Sequence, residues 1–336
     1  MENAKGTVLI SGASGMVASH VLKYLLKHTN YDFVAVCGWE HKGEPEKVLW
    51  AMEGYKERVK VITHDLSKPF TPRVKKAIGK VDYILNIASE SHVDRSIEEP
   101  VDFIQNNVNL VLTMLEYARE VKPKLFLQFS TDEVMGAAAE NHSHKEWESH
   151  IPSNPYAASK AAQEDIAISY WRTYGVPVLI TNTMNVFSPH QDWEKFIPLC
   201  VKKILSGEEI TIHAYPGATK AGSRFYIHAD SVAEAVKFLM EKPTNLYPNA
   251  DRPDRYNIVG DKEVDNLTLA KTIADILGKH PMYKLVDFHS SRPGHDAKYS
   301  LSGEKLANEG WKPTSNFDER IREVVLQLKT KYDKEN

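Results

Sequence analysis

Cysteine is nearly absent from this 336-residue chain; Cys37 and Cys200 are the two, each inside an apolar segment. Two such thiols make no disulfide framework, so buried free thiols in a reducing compartment are expected. An excess of charge is lacking too. Lys and Arg number 42 against 45 Asp and Glu, a net charge of −3, so no global basic field recruits nucleic acid or an anionic membrane. An anionic ligand must therefore be held by local cations or helix N-termini. No apolar run approaches the roughly 20 residues of a spanning helix, and the opening "MENAKGTVLISGASG" has no secretory h-region. There is no internal repeat and no low-complexity tract. A cytoplasmic protein with neither membrane nor nucleic acid as partner is the expectation.

What is present is ordinary globular material, 42% hydrophobic and 26% charged. The first half alternates short β-branched runs with helical periodicity. Strands are expected at 7–11, 31–37, 58–64, 81–89, 124–130 and 176–183, with helices at 16–28, 101–121 and 154–174. That alternation implies βαβ units and an α/β, doubly wound parallel sheet of the Rossmann kind. After Thr183 the pattern becomes irregular, with helices expected at 195–207, 230–242 and 266–278 and a strand at 255–260. We divide the chain into a dinucleotide-binding domain, 1–183 with about 226–243, and a smaller, discontinuous substrate lobe, 184–225 and 244–336.

Ligands of such sheets sit beyond the carboxyl ends of the strands, which is where the chemically suggestive residues fall. "SGASGMVASH" lies between the first strand and first helix and gives G-x-x-G-x-x-A at Gly12, Gly15 and Ala18. Gly12 permits a tight turn, Gly15 lets a pyrophosphate approach, and Ala18 keeps the helix close to the sheet. The acidic residue expected after the second strand is missing; Cys37 and Gly38 stand there, followed by Glu40, His41 and Lys42. That leaves NAD against NADP open. Asp65 would either meet adenine or cap its own turn. "LQFSTDEVMG" ends a strand on adjacent carboxylates, Asp132 and Glu133. Tyr156 and Lys160 are four apart in an expected helix and so share a face. A phenol near pKa ~10 is a poor base, and a neighbouring ammonium would lower that value. The His-rich "NHSHKEWESHIPS" (141–153) lacks an ordered metal-ligand spacing and reads as a mobile loop; no metal is expected.

These motifs, with "ASESHVDRSI" (88–97), "FSTDEV" (129–134), "YAASK" (156–160), "FIPL" (196–199) and "RPGHDAKY" (292–299), resemble the nucleoside-diphosphate-sugar 4,6-dehydratases of the extended short-chain dehydrogenase/reductases over about residues 5–330. The resemblance implies an NAD-dependent lyase, a homodimer, and a dTDP- or UDP-hexose as substrate. C4 of the hexose is oxidised, water is eliminated across C5 and C6, and the hydride returns to C6. It implies that Tyr156, assisted by Lys160 and Thr131, deprotonates the C4 hydroxyl. Glu133 then takes the C5 proton while Asp132 protonates the leaving hydroxyl. Crowded carboxylates push their pKa values apart, which permits one acid and one base. A 5,6-dehydratase, a 4-epimerase or a non-catalytic dinucleotide sensor are the alternatives on the same site.

Cofactor contacts are expected from Gly12, Ser14, Gly15, Met16, Val17, Asp65, Leu66, Ala88, Ser89, Tyr156 and Lys160. Substrate contacts are expected from Ser91, His92, Asn185, Lys195, Arg224, Arg292 and His295. Arg95 serves either the substrate or a salt bridge. The chain departs from the family at Asn86, where a His is common, at Met135, where a Tyr is usual, and at "VFSP" (186–189) and "YPGATKAGSRFY" (215–226). These departures touch the identity of sugar and base rather than the proton transfers.

Overall fold

The computed structural model describes residues 6–39, 43–242, 251–287, 296 and 298–336. Strands β1 Thr7–Ser11, β2 Asp32–Cys37, β3 Val59–Thr63, β4 Tyr83–Asn86, β5 Leu125–Thr131 and β6 Val178–Thr183 all pair in parallel, in the order β3-β2-β1-β4-β5-β6. Helices α1 Met16–His28, α2 Pro45–Ala51, α3 Pro72–Ile78, α4 Val93–Glu98, α5 Pro100–Val121 and α6 Pro155–Tyr174 connect them. The expected doubly wound sheet is present. Alternation along β1 explains its two faces. Val8 and Ile10 pack with Val21, Leu22 and Leu25 of α1. Leu9 packs with Val111, Met114 and Leu115 of α5 and with Trp171 of α6. Each such fully buried side chain contributes about 1.5–3 kcal/mol.

The fourth strand is shorter than its apolar pattern suggested, because the amides of Ile87 and Ala88 turn to Ser11 Oγ, 3.0 Å away in both cases. The chain thus leaves the sheet at the ligand edge. After β6 come β7 Asn185–Phe187, α7 Phe196–Ser206, β8 Ile210–Ala214 and β9 Ser223–His228, whose strands lie outside the large sheet, mostly in the span expected to form a smaller lobe. Helix α8 Ala229–Glu241 then packs beside α1 on the large sheet. β10 Asp254–Ile258 follows; it lies in the span assigned to the lobe but pairs with β6 as the seventh strand of the large sheet. β11 Lys262–Asp265 joins β9 and β7, and β12 Tyr283–Asp287 pairs with β8. α9 Asn266–Leu277, α7 and the C-terminal helix Phe317–Glu335 close the lobe's core around Ile197, Val201, Leu269, Ile273, Val324 and Leu328.

Both cysteines are free and buried. Burial pushes their thiols up, to about 11 for Cys37 and about 12 for Cys200. Among the described residues, no helix is long and apolar enough to cross a membrane.

Candidate active site

Gly12 takes φ +71, and a Cβ there would lie 2.9 Å from Ala88 Cα. This position therefore needs glycine both for its backbone and for the close approach of the β4 exit. α1 begins at Gly15 with no side-chain cap and no acidic residue in its first turn, so the amides of that turn and the helix dipole suit an anion. Ser14 Oγ donates to Gly38 O at 2.9 Å, and Glu44 N donates to Ser14 O at 3.1 Å, fastening the loop after β2 over this cradle. The donor set and the glycine clearance fit the pyrophosphate of a dinucleotide. Trp39 Nε1 donates to Thr63 Oγ1 at 2.8 Å at the adjoining strand ends. Glu40, His41 and Lys42 lie outside the described residues. Asp65 takes Ser67 N and Ser67 Oγ on its two oxygens, both at 2.9 Å. Partial burial would raise this carboxyl, but the Ser67 bonds hold it below its usual range. The turn cap is thus its observed contact, with Leu66 buried next to it.

A row of buried amides runs from this cradle to the reactive cluster. Ser11 Oγ donates to Asn86 Oδ1 (3.0 Å), Asn86 Nδ2 to Gln128 Oε1 (2.8 Å), and Gln128 Nε2 to Gln163 Oε1 (3.2 Å). Gln163 Oε1 also accepts from Lys160 Nζ at 2.7 Å. Sequence reasoning missed Ser11, Gln128 and Gln163, and met Asn86 only as a departure. Their partners are distant in the chain, and period alone marks them as strand or helix interior.

β5 ends in extended backbone at Thr131 (φ −133°, ψ 158°), and Asp132–Met135 form a 3₁₀ turn. Thr131 Oγ1 donates to Asp132 Oδ1 at 2.9 Å and accepts from Glu133 N at 3.4 Å, and the Thr131 side chain opposes the rise of the nearby Tyr156 phenol. Asp132 is buried, and its Oδ2 has no hydrogen-bond partner among the described residues. Burial, then the charge of Glu133, pushes Asp132 up to about 7. Glu133 is half-buried, and desolvation raises it too. Four neighbours pull it back: Asn154 Nδ2 donates to Oε2 at 3.1 Å, Tyr299 Oη donates to the same oxygen at 3.3 Å, and Arg224 and Lys195 act by charge.

Tyr156 and Lys160 share the buried face of α6, as their spacing requires. The expected lowering of the phenol by the ammonium is not what the structure shows. Lys160 Nζ donates to Phe129 O and Gln163 Oε1, each at 2.7 Å. Burial, then the Glu133 charge, pushes the phenol above its ordinary range. Burial brings Lys160 down to about 7, and Glu164 one turn further on opposes that fall.

Of the expected substrate residues, Lys195 and Arg224 face the carboxylate pair. Lys195 Nζ reaches Ser91 O at 3.3 Å. Arg224 donates to Ser223 O and Asp296 O and lies 4.7 Å from the Tyr299 ring centre. His92 Nδ1 caps α4 by accepting from Arg95 N, and its Nε2 is 3.5 Å from Glu194. Asn185 is half-buried on β7, opposite Tyr226 of β9. Ala88 borders Gly12, and Ser89 Oγ donates to Glu90 O. Arg292 and His295 lie outside the described residues. Arg95 makes salt bridges with Glu90 (3.0 Å) and Glu99 (3.3 Å), so it braces the loop after β4.

The His-rich segment is tied down in the structure: His144 N donates to Ser300 O, and Ser302 N to His144 O. His142 Nε2 and His144 Nδ1 both lie 2.8 Å from Glu148 Oε2. Against partial burial, the Lys145 amide and these imidazoles pull Glu148 down to about 2. The two imidazoles thus share one carboxylate oxygen, while His144 Nε2 is buried with no hydrogen-bond partner among the described residues.

The chain is similar to known proteins in sequence and in fold. A match to the NAD dependent epimerase/dehydratase family covers residues 8–258. A probable dTDP-glucose 4,6-dehydratase of Sinorhizobium fredii is 32% identical over 340 residues, covering 95% of this chain and 91% of its own. The dTDP-glucose 4,6-dehydratase of Haemophilus influenzae is 31% identical, covering 95% and 96%. Among solved structures, a Streptomyces venezuelae dTDP-glucose 4,6-dehydratase with NAD bound aligns at TM-score 0.84 and 28% identity, over 97% of this chain and 98% of that one. A Thermus thermophilus UDP-glucose 4-epimerase with NAD aligns at TM-score 0.85 and 25% identity, over 96% and 99%. Backbone likeness therefore does not separate elimination from epimerisation; the side chains at the end of β5 must.

Proposed function

The chain belongs to the NAD dependent epimerase/dehydratase family, and from that premise we propose that it is a nucleoside-diphosphate-hexose 4,6-dehydratase. One observation carries the choice within the family: adjacent carboxyls, Asp132 and Glu133, sit on one turn in unlike surroundings. Elimination needs an acid at the C6 oxygen and a base at C5 at the same moment. The buried Asp132, raised to about 7 with one oxygen unpartnered, suits the acid. Glu133, with two neutral donors and two cations around it, suits the base. Epimerisation at C4 needs neither.

Gly12, Ser14, Gly15, Met16 and Val17 would hold the NAD pyrophosphate, with Ala88 and Ser89 beside the nicotinamide and Asp65 and Leu66 near adenine. NAD bound there would supply the hydride chemistry, removal from C4 and return to C6. Tyr156 takes the C4 hydroxyl proton, assisted by Thr131 and by Lys160, which stands one turn along the same buried face of α6. Lys195 and Arg224, with Arg292, neutralise the substrate diphosphate; Ser91, His92, Asn185 and His295 complete its site. The substrate is a dTDP- or UDP-hexose, the sugar nucleotides named in relatives. The lobe division at 183, a homodimer through α5 and α6, and a cytoplasmic location complete the reading.

The test is product mass spectrometry on a panel of dTDP-, UDP- and GDP-hexoses. The expected product has lost one water, with no stoichiometric NADH and with C4 deuterium found at C6. Deuterium returning to C4 indicates epimerisation, and accumulating NADH indicates a dehydrogenase. Turnover unchanged in Tyr156→Phe refutes the assigned base.

A further inference from the structure

Two of the bonds that Asn154 makes point in different directions. Its Oδ1 accepts from Ala157 N at 2.8 Å, capping the helix that carries Tyr156 and Lys160. Its Nδ2 donates to Glu133 Oε2 at 3.1 Å. The amide orientation is fixed by both partners. Turned over, it would set an oxygen against a carboxylate and an NH₂ against an N–H. We infer that Asn154 is a positioning residue that ties the oxidation pair on α6 to the elimination base Glu133. The inference rests on the dehydratase reading and deepens it.

The geometry says which oxygen does the work. Asn154 and the Tyr299 phenol both donate to Oε2, while Oε1 takes no hydrogen bond among the described residues. The carboxylate is thereby held by one oxygen and presents the other. In the elimination, the C5–H electron pair becomes the C5–C6 double bond and the C6–O bond breaks. The C5 proton goes to Oε1, and the hydroxyl leaves as water with the proton of Asp132. Residue choice at 154 follows. Serine, threonine and aspartate cap helices as well as asparagine does. Only an amide of this length pairs that acceptor with a donor reaching across to Glu133. Aspartate would put a second carboxylate against the base and raise its proton affinity. The second bond spans 21 positions, so no local pattern in the sequence marks it.

Among the described residues, the groups facing Glu133 are Asp132 on its own turn, Asn154 and Tyr156 at the start of α6, Arg224 on β9, Lys195 before α7, and Tyr299. Burial raises Glu133, and Asn154 is the foremost of the groups that oppose that rise. Asn154→Asp and Asn154→Ser both retain the α6 cap, so thermal midpoints should stay close to wild type. Losing a hydrogen bond to a charged group predicts a C5 solvent-exchange rate lower by roughly 10- to 100-fold. The acid limb of its pH profile should move to higher pH, further in Asn154→Asp than in Asn154→Ser. The rate of C4 oxidation, read from nicotinamide absorbance in a single turnover, should stay near wild type. Equal losses in both steps, or an unmoved pH limb, overturn the inference. Carboxyl infrared difference spectra against Glu133→Gln give a readout that does not depend on turnover. A Glu133 midpoint raised in Asn154→Asp supports the inference, and an unmoved one overturns it. Wild-type protein that oxidises C4 but exchanges no C5 proton overturns the dehydratase reading alone.

Discussion

Replacing Asp132 by Asn removes one proton from the site and little else. The amide keeps an oxygen for the Thr131 hydroxyl, which donates to Oδ1 at 2.9 Å. The size of the effect follows from the environment of the carboxyl. At its ordinary value of 3.8, about one molecule in 1,600 would carry the proton at neutral pH. Burial and the Glu133 charge push Asp132 up to about 7, so roughly half do. The site therefore holds an acid at neutral pH several hundred times more often than an exposed Asp would. Removing a general acid costs about 10²–10⁴ in rate. Water loss from the sugar nucleotide, followed by mass spectrometry, should fall by that factor in Asp132→Asn. Exchange of the C5 proton with deuterated solvent should stay within about tenfold of wild type, because that step belongs to Glu133.

The pH dependence has a definite sign. The acid form of Asp132 is lost as pH rises through about 7, so wild-type elimination should decline on the alkaline side, by about tenfold per unit. Lys160 also titrates near 7, because burial lowers it, and its deprotonation would slow C4 oxidation instead. Supplying a nucleotide-linked 4-ketohexose bypasses that oxidation and leaves the Asp132 limb alone. Water loss at wild-type rates in Asp132→Asn refutes the assignment of the acid. Collapse of C5 exchange together with water loss refutes the division of labour between the two carboxyls.

Gly12→Ala should abolish most NAD binding, measured as co-purified dinucleotide, since the new Cβ would lie 2.9 Å from Ala88 Cα at φ +71; unchanged NAD content contradicts the cradle. Glu164 and Arg255 form a fully buried ion pair, with His150 Nε2 at 3.1 Å and Asn182 Nδ2 at 2.7 Å also on Glu164. Glu164→Gln and Arg255→Met alone should each lower unfolding free energy by about 3–5 kcal/mol, while the double variant recovers most of it; additive losses in urea unfolding argue against the pair. The bonds from His150 and the Arg255 charge hold Glu164 below its usual range despite burial, so its stability is present above an unfolded value near ~4.3 and is lost as pH falls through the folded one. Met135→Tyr should cost about 1–3 kcal/mol by overpacking, with sugar selectivity unchanged in the product panel, because Met135 is buried among Val134, Ala161, Met184, Tyr299 and Leu301.

That last expectation reverses the natural suspicion about Met135, and it shows what a sequence conveys. Motifs whose parts are neighbours in the chain were legible: the turn from β1 into α1, the Thr131–Glu133 run, and the helical spacing of Tyr156 and Lys160. Their chemistry is set by residues within a turn of one another. The supports were not legible. Ser11 and Asn86 are 75 positions apart, Asn86 and Gln128 are 42, and Arg255 and Glu164 are 91. Each reads locally as a polar residue in a strand or helix. The large sheet was legible because its strands are apolar and separated by strongly periodic helices. Strands β7, β8, β9, β11 and β12 were missed because most of their residues are half-buried or exposed, so no continuous apolar run marks them. The phenol–ammonium contact was expected from spacing alone, whereas the direction in which Lys160 points is decided by Phe129 O and Gln163.

The carboxylate pair also explains why β5 must stop where it does. On a continuing strand, Asp132 and Glu133 would point to opposite faces, and one would be lost into the helical layer. A 3₁₀ turn changes the angle between successive side chains from about 180° to about 120°, so both can border one substrate. The turn must then end at once. Gly136 ends it at φ 75°, where a Cβ would lie 2.2 Å from Ile151 O. That closeness is used: Ile151 N donates to Val134 O at 3.0 Å, drawing the 151–154 segment across the turn. The same segment delivers Asn154 to Glu133 and starts α6 with Tyr156 and Lys160. A glycine three residues beyond Glu133 thus fixes the spacing between the elimination pair and the oxidation pair, two groups that sequence alone presents as separate motifs.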